Sequence, residues 1–346
     1  MKPFIVMDIV DKASKIKDVI HLEIGSPDLL PPPKVKEMAI KAINENKFNY
    51  TPTKGLLKLR EKISSHYKHF YNVEVNPENI LITTGTSTAF LIAYHFSKTI
   101  ATFSPTYPCY KNFAILENKN FKIIKNLEEE YDTLMISSPN NPTGKVLDKK
   151  ELKKISTFCK KNNRLLISDE LYHGLVYEKD YTTALKFNKD AIVINGFSKF
   201  FCMPGFRLGW IILPSHLIRK AEIVAQNILI SAPTISQHAA IEAFDYEYLE
   251  KVKNEFKKRR DFLFNELKNV FNISSPDGAF YLWCDISKYS NNSLEFSTKL
   301  LEKAKVAVTP GIDFGNYPTH IRIAYTQDIK ILQEAVIRIK NFLKHF

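Results

Sequence analysis

Apolar residues recur along this chain with two periods that alternate many times. Short runs in which nearly every position is apolar or β-branched predict buried strands: Ile80 to Thr83, Ile100 to Phe103, Thr133 to Ser137, Arg164 to Ser168, Ala191 to Asn195, and a run ending at Ile212. Between them, apolar positions fall three and four apart, as at Leu56, Leu59, Ile63 and Tyr67, or at Leu152, Ile155 and Phe158. That spacing lays an apolar stripe along a helix. Strand and helix in alternation from residue 80 to residue 213 predict one mostly parallel sheet, because parallel neighbours need a crossover and the crossover helices land on the two sheet faces. The fold class is α/β.

Outside that stretch the pattern changes. Gly25-Ser26-Pro27-Asp28 and Pro31-Pro32-Pro33 break the first residues into an extended segment before a helix at Val35 to Asn44. Leu249, Val252, Phe256, Leu263, Leu267 and Val270 hold a helical spacing and predict a long helix that connects two domains. The expected division is a segment 1–46 contributing to a small domain, a large domain 47–245, and the long helix with the small domain over 246–346.

Composition narrows the class. The chain has 346 residues, 45% of them hydrophobic, enough for a large core. Its net charge of +12 comes from lysines spread over helical faces, with no basic block interleaved with aromatics, so a solvated surface is expected rather than a nucleic-acid site. Steering of small anionic substrates stays open. Cys109, Cys159, Cys202 and Cys284 show no CxxC and no metal spacing with the histidines, which implies neither a disulfide framework nor a zinc site. Met1 to Asp18 lacks a signal-peptide apolar core, and no apolar run is long enough to span a bilayer, so a cytoplasmic protein is expected. GxGxxG and the Walker lysine motif are absent, which removes the usual nucleotide-binding reading of such a sheet.

The candidate chemistry gathers at the ends of the predicted strands. Thr84-Gly85-Thr86-Ser87-Thr88 follows the first and leads into a helix expected at Ala89 to Ser97; a helix start of this kind offers free N–H groups and a positive dipole end to an anion. Asp169 stands at the carboxyl end of another strand, where α/β sheets place ligands. A loop then carries Ser198-Lys199-Phe200-Phe201-Cys202-Met203-Pro204-Gly205-Phe206-Arg207-Leu208-Gly209. A lysine in a lysine-rich chain is ordinarily a solvated surface residue; between a hydroxyl and an arginine, it also suits an amine that forms a Schiff base with a phosphorylated aldehyde.

The spacing Ser-Lys-x-x-x-Met-x-Gly-aromatic-Arg-x-Gly resembles the cofactor-lysine motif of class I/II aminotransferases, the fold type I pyridoxal 5′-phosphate (PLP) enzymes. Further segments resemble the same family: Tyr50-Thr51-Pro52 with Gly55, Pro105-Thr106-Tyr107 with Tyr110, Asn140-Asn141-Pro142-Thr143-Gly144, Asp169-Glu170-Leu171-Tyr172, and Ile321-Arg322-Ile323-Ala324. The resemblance implies a large domain with a mostly parallel sheet plus a smaller α+β domain built from both termini. It implies a PLP Schiff base at Lys199, Asp169 on the pyridine nitrogen, Asn141 and Tyr172 on the ring oxygen, and Tyr107 stacked on the ring. Thr86, Ser87, Ser198 and Arg207 would hold the phosphate, joined by Tyr50 from the neighbouring copy of a homodimer. Arg322 would clamp the substrate α-carboxylate, with Gly25 and Asn141 beside it, while His173 is expected to pack.

The activity implied is amino transfer from an L-amino acid to a 2-oxo acid, with Lys199, Tyr172 and Asp169 as the catalytic group and a lean towards aspartate-type or broad specificity. Two alternatives use the same text: a PLP-dependent lyase acting at Cβ and yielding pyruvate and ammonia, and a catalytically silent relative acting as a binding or regulatory protein. One departure stands out. Between Tyr110 and Ser137 the chain is shorter than the usual member, which commonly inserts a further strand and helix there, so the closure of that edge of the large domain is left open.

Overall fold

The computed structural model describes residues 5–344; the first four residues of the Met1–Asp18 segment, and the outer ends of the first and last expected domains, lie outside the described residues. Helix α1 (Ile5–Ala13) and the two-residue strand β1 (Ile20–His21) open this stretch. Both join the far end of the chain: β1 pairs in parallel with β10 (Val306–Ala307), and Ile9 and Ala13 of α1 bury beside Leu301 and Ala307. Helix α2 (Pro33–Asn44), started by a proline whose missing N–H costs nothing at that position, lies instead along α8 (Thr234–Ala240). Helix α3 (Leu57–Tyr71) follows and buries Leu59, Ile63 and Tyr67, the stripe its spacing predicts.

The large sheet has seven strands in the order β2 (Ile80–Thr83), β8 (Gly209–Ile212), β7 (Ile192–Gly196), β6 (Leu165–Asp169), β5 (Thr133–Ser137), β3 (Thr99–Thr102) and β4 (Asn120–Ile123). All pairs are parallel except those of β8, which runs against both β2 and β7. Alternate residues face opposite ways along a strand. Accordingly Leu134, Ile136, Leu166 and Val193 enter one apolar core while Met135, Ile167, Ile192 and Ile194 enter the other. Both faces are dry, which is why these strands read as unbroken apolar runs; each such side chain removed from water contributes about 1.5–3 kcal/mol.

Several boundaries differ from the sequence expectation, each for a local reason. Strand β6 takes in Asp169 because its ladder with β5 continues to the pair Ser137 and Asp169. Helix α4 is Gly85–Tyr94, not Ala89 to Ser97. Thr88 donates its hydroxyl to the Thr84 carbonyl at 3.1 Å, the one-turn back-bond that lets a hydroxyl residue sit inside a helix, so Thr86, Ser87 and Thr88 occupy the first turn instead of a preceding loop. The short stretch after Tyr110 keeps its strand: helix α5 (Cys109–Leu116) leads to β4, which closes the sheet edge beside β3, and residues 124–132 then return to β5 without a helix. Strand β4 is largely exposed, and Lys119, Lys122 and Lys125 guard the edge against pairing.

Helix α6 (Lys149–Lys161) begins with a capping box between Asp148 and Glu151 and packs Leu152, Ile155 and Cys159 inward. After α7 (Ser215–Ile228), the long helix α9 (Tyr246–Leu267) buries Leu249, Val252, Phe256, Leu263 and Leu267; Val270 falls in the turn beyond it. A second, antiparallel sheet follows in the order β11 (Thr309–Pro310), β12 (His320–Ala324) and β9 (Tyr281–Asp285), backed by α10 (Ser293–Ala304) and α11 (Ile329–Leu343). No helix among the described residues is long and apolar enough to cross a membrane.

Candidate active site

The carboxyl ends of β2, β5, β6 and β7 open on one edge of the large sheet, and the small antiparallel sheet presents its Arg322 face to them. Asp169 ends β6. It is buried; its Oδ1 accepts from the Leu171 amide at 3.0 Å and its Oδ2 accepts from the Tyr110 hydroxyl. Burial pushes this carboxyl up to about 6, against the pull of its two hydrogen-bond donors and of the Lys199 charge.

Lys199 follows β7 and is largely shielded from solvent. Its Nζ donates to the Gly25 carbonyl, a bond across 174 residues of sequence, and lies 5.8 Å from the centre of the Phe280 ring. Burial first, then the guanidinium charges of Arg322 and Arg207, bring its ammonium down to about 8. An amine so placed gives up its proton far more readily than an ordinary lysine, as a nucleophile or a base must.

Gly25 is where it is for a steric reason. A Cβ there would lie 1.9 Å from the Tyr281 hydroxyl oxygen. That hydroxyl shares a 2.6 Å hydrogen bond with the hydroxyl of Tyr172, and the Arg322 guanidinium sits 4.2 Å over the Tyr281 ring. Arg322 is itself buried. Its Nη1 donates to Asn141 Oδ1 at 2.8 Å, and its Nη2 to the Glu23 carbonyl at 2.6 Å and to Thr309 Oγ1 at 3.2 Å. Among the described residues its Nε has no partner. Lys199, Gly25, Tyr281, Tyr172, Arg322 and Asn141 therefore form one continuous set of contacts, and Asp169 faces it through the charge of Lys199.

Beside this set lies a cup. Gly85 adopts a φ of +67°, and a Cβ on it would come within 2.7 Å of Arg207 Nη2, so the guanidinium lies over the first turn of α4 in space that only glycine leaves open. Thr86 turns its methyl towards Gly196 of β7, while Ser87 is exposed and Ser198 is half-buried. Tyr107 meets Tyr110 edge to face with ring centres 5.4 Å apart, and so borders Asp169. Tyr50 stands apart, 79% exposed on a loop tied to α8 through the Asn49 carbonyl and Thr51. His173 is buried against Tyr71, whose hydroxyl is 2.9 Å from its Nδ1, and burial holds the imidazole near 3, hence neutral.

Three residues that matter to this geometry carry no role in the sequence reading. Tyr110 bonds Asp169 from the first turn of α5, three residues after Tyr107, and its place in the same sequence motif is the signal that could have found it. Tyr281 opens β9 of the small sheet, where an apolar strand pattern gives no sign of where its hydroxyl goes. The carbonyl of Glu23 is invisible to any residue pattern.

PLP can be tested against these groups. Its phosphate needs a cationic, donor-rich cup, and the start of α4 under Arg207 is one; its ring nitrogen needs a buried anion, and Asp169 is one; its aldehyde needs an amine, and Lys199 is one. The residues fit. A doubly wound sheet with this pocket at its strand ends defines a fold type I transferase. The chain belongs to the class I and II aminotransferase family, whose model matches residues 17–339 and whose members use PLP. It is 37% identical to a (5-formylfuran-3-yl)methyl phosphate transaminase of Methanocaldococcus jannaschii over 364 residues, covering 98% of this chain and 96% of that one. An aminotransferase from Mycobacterium tuberculosis has a crystal structure with a TM-score of 0.96 at 31% identity, covering 100% and 98% of the two chains. The aspartate aminotransferase of Thermus thermophilus, solved with maleate, gives a TM-score of 0.93 at 27% identity over 99% and 97%.

Proposed function

We propose that Lys199 is the amine to which PLP attaches and that the chain uses it to move an amino group from an L-amino acid to a 2-oxo acid. The observation that carries this reading is the pairing of a depressed, largely shielded Lys199 amine with a buried Asp169 carboxylate and a buried Arg322 guanidinium around one space. When bound, the cofactor supplies an aldehyde for the substrate amine and a ring that withdraws electrons from the substrate Cα.

Every other step belongs to side chains of this protein. Arg322 holds the substrate α-carboxylate through parallel N–H bonds, which orients the Cα–H bond; its bond to Asn141 fixes the guanidinium plane. Lys199, once its amine is free, would take the Cα proton and return it to the carbon on the far side of the substrate nitrogen, acting as base and then acid. Asp169 keeps a proton on the ring nitrogen, because a buried anion favours its cationic neighbour. Tyr172 and Asn141 bind the ring oxygen, Tyr107 covers the ring face, and Thr86, Ser87, Ser198 and Arg207 bind the phosphate. Tyr50, exposed in the single chain, joins that cup from the partner in a homodimer. The division 1–46, 47–245 and 246–346 and a cytoplasmic location complete the proposal; the pairing of β1 with β10 supports the first segment's share in the small domain, and α2 packs on α8 of the large one.

Relatives of similar identity are named for aspartate, for valine and pyruvate, and for aromatic amino acids, which supports the reaction without singling out a donor. Borohydride reduction of the PLP-loaded protein followed by peptide mapping tests the assignment: a phosphopyridoxyl group on Lys199 is expected, and its recovery on another lysine would overturn it. Accumulation of pyruvate in excess over protein, without a 2-oxo acid acceptor, would instead establish the Cβ lyase.

A further inference from the structure

With the α-carboxylate on Arg322, the groups around that guanidinium border the space open to an amino donor, and they are aromatic. Antiparallel pairing sets Trp283 directly opposite Arg322, so both project from the same sheet face, and Tyr281 lies two residues along that face. The Phe314 ring centre is 4.9 Å from the guanidinium, and Trp283 meets Phe314 edge-on at 5.5 Å. Next to Phe314 comes an acid. Asp313 is buried and accepts from the Ile5 and Val6 amides at the start of α1 at 3.1 and 3.3 Å, with the Arg322 charge near enough to be felt.

The fork of a second guanidinium is the group best shaped for a second carboxylate, and the arginines of the chain are otherwise engaged. Arg60 is bound to Glu78 and to the Gly55 and Pro77 carbonyls, and Arg164 stacks on Tyr131 and bonds the Leu127 carbonyl. Arg259 is buried against Asp28 and Glu255, and Arg260 grips Glu178 with both Nη atoms. Arg219 and Arg338 serve helix-surface pairs with Glu222 and Glu334. With Arg207 in the cup and Arg322 on the α-carboxylate, none remains.

We propose that the aromatic wall formed by Tyr281, Trp283 and Phe314 beside Arg322 selects amino donors with uncharged, apolar or aromatic side chains and disfavours dicarboxylic ones, against the aspartate lean of the sequence. This rests on the aminotransferase reading above. A side-chain carboxylate there loses its water, meets ring faces and a neighbouring acid, and gains no second arginine, whereas an aromatic side chain gains ring contact.

The test uses the PLP-loaded protein with 3-phenylpropionate and succinate as unreactive probes, followed by tryptophan fluorescence, and initial rates with L-phenylalanine and L-aspartate. Trp283 reports on the wall, since the other tryptophan, Trp210, is fully buried in the large-domain core. The expected result is a fluorescence change with 3-phenylpropionate that disappears in Trp283→Phe, at least ~10-fold weaker binding of succinate, and a kcat/KM favouring phenylalanine by a similar factor. Tighter succinate binding, or preferred transfer from aspartate, would overturn this inference and leave the aminotransferase reading standing. Transfer from no amino acid at all would overturn that reading and this one with it.

Discussion

Replacing Gly25 by alanine adds one methyl group at the point where three site residues meet. No positive φ is involved at this glycine, so the effect is purely steric. The new Cβ would stand 1.9 Å from the Tyr281 hydroxyl oxygen, 2.7 Å from its Cζ and 2.9 Å from its Cε1, where ordinary contact is about 3.5–4 Å. The tyrosine ring must retreat by more than an ångström, yet it is buried and held by Tyr172 and by Arg322 over its face. Overpacking of this kind costs about 1–3 kcal/mol. At an entropy of unfolding near ~2.1 cal/mol/K per residue, about 2 kcal/mol lowers Tm by roughly 3 °C in a chain of this length. Catalysis is hit harder, because displacing positioning groups by about 1 Å costs about 100-fold. Gly25→Ala is therefore expected to lower kcat/KM by ~10- to 100-fold with a small fall in calorimetric Tm, and Tyr281→Phe in the same background, which removes the first atom struck, is expected to recover part of the rate. A Gly25→Ala enzyme with wild-type kcat/KM and Tm would refute the steric reasoning.

Two further predictions use titration. Asp169 has its carboxyl raised to about 6 from 3.8, so between those values the native protein binds more protons than the unfolded chain, and its contribution to stability falls as pH rises through that window. Asp169→Asn removes the penalty: the PLP-free variant is expected to unfold at higher denaturant near pH 7, by up to about 3 kcal/mol, while turnover with PLP collapses; an unchanged midpoint would refute the cost assigned to the buried charge. His66 shows the opposite sign. Burial among Phe70, Phe201, Phe244 and Tyr246 holds it near 3 against 6.5, so it stays neutral in the native state, and stability is lost as pH falls from 6.5 towards 3. His66→Phe should flatten the dependence of unfolding free energy on pH by one proton, about 1.4 kcal/mol per pH unit between pH 4 and 6; a slope equal to wild type would count against a buried neutral imidazole.

Strand positions were legible because two dry faces force continuous apolar runs: Leu134, Met135 and Ile136 are all buried though they point in alternating directions. Asp169 was legible as a carboxylate at a strand's carboxyl end, and Lys199, Arg207 and Arg322 as positions in segments that resemble the aminotransferase family. The contacts that organise the site were not. Gly25 against Tyr281, Lys199 on the Gly25 carbonyl, and the α1 amides on Asp313, 308 residues apart in sequence for Ile5, are created by the docking of chain ends on the sheet, and no local period encodes them. The first residues of α4 were missed for a different reason: hydroxyl side chains read as loop until the back-bond from Thr88 shows them inside a turn. The helix-free return from β4 to β5 appears in sequence only as a shortened stretch, with nothing to say that the strand survives and the helix does not.

The most direct measurement is a single-turnover half-reaction. PLP-loaded protein is mixed with each common L-amino acid in the absence of any 2-oxo acid, and absorbance is followed to completion. Amino transfer through Lys199 predicts conversion of the bound cofactor to pyridoxamine phosphate in a 1:1 ratio with the protein and release of one matching 2-oxo acid, with Lys199→Ala giving none. Return of the starting spectrum while pyruvate accumulates far beyond the protein concentration would contradict it.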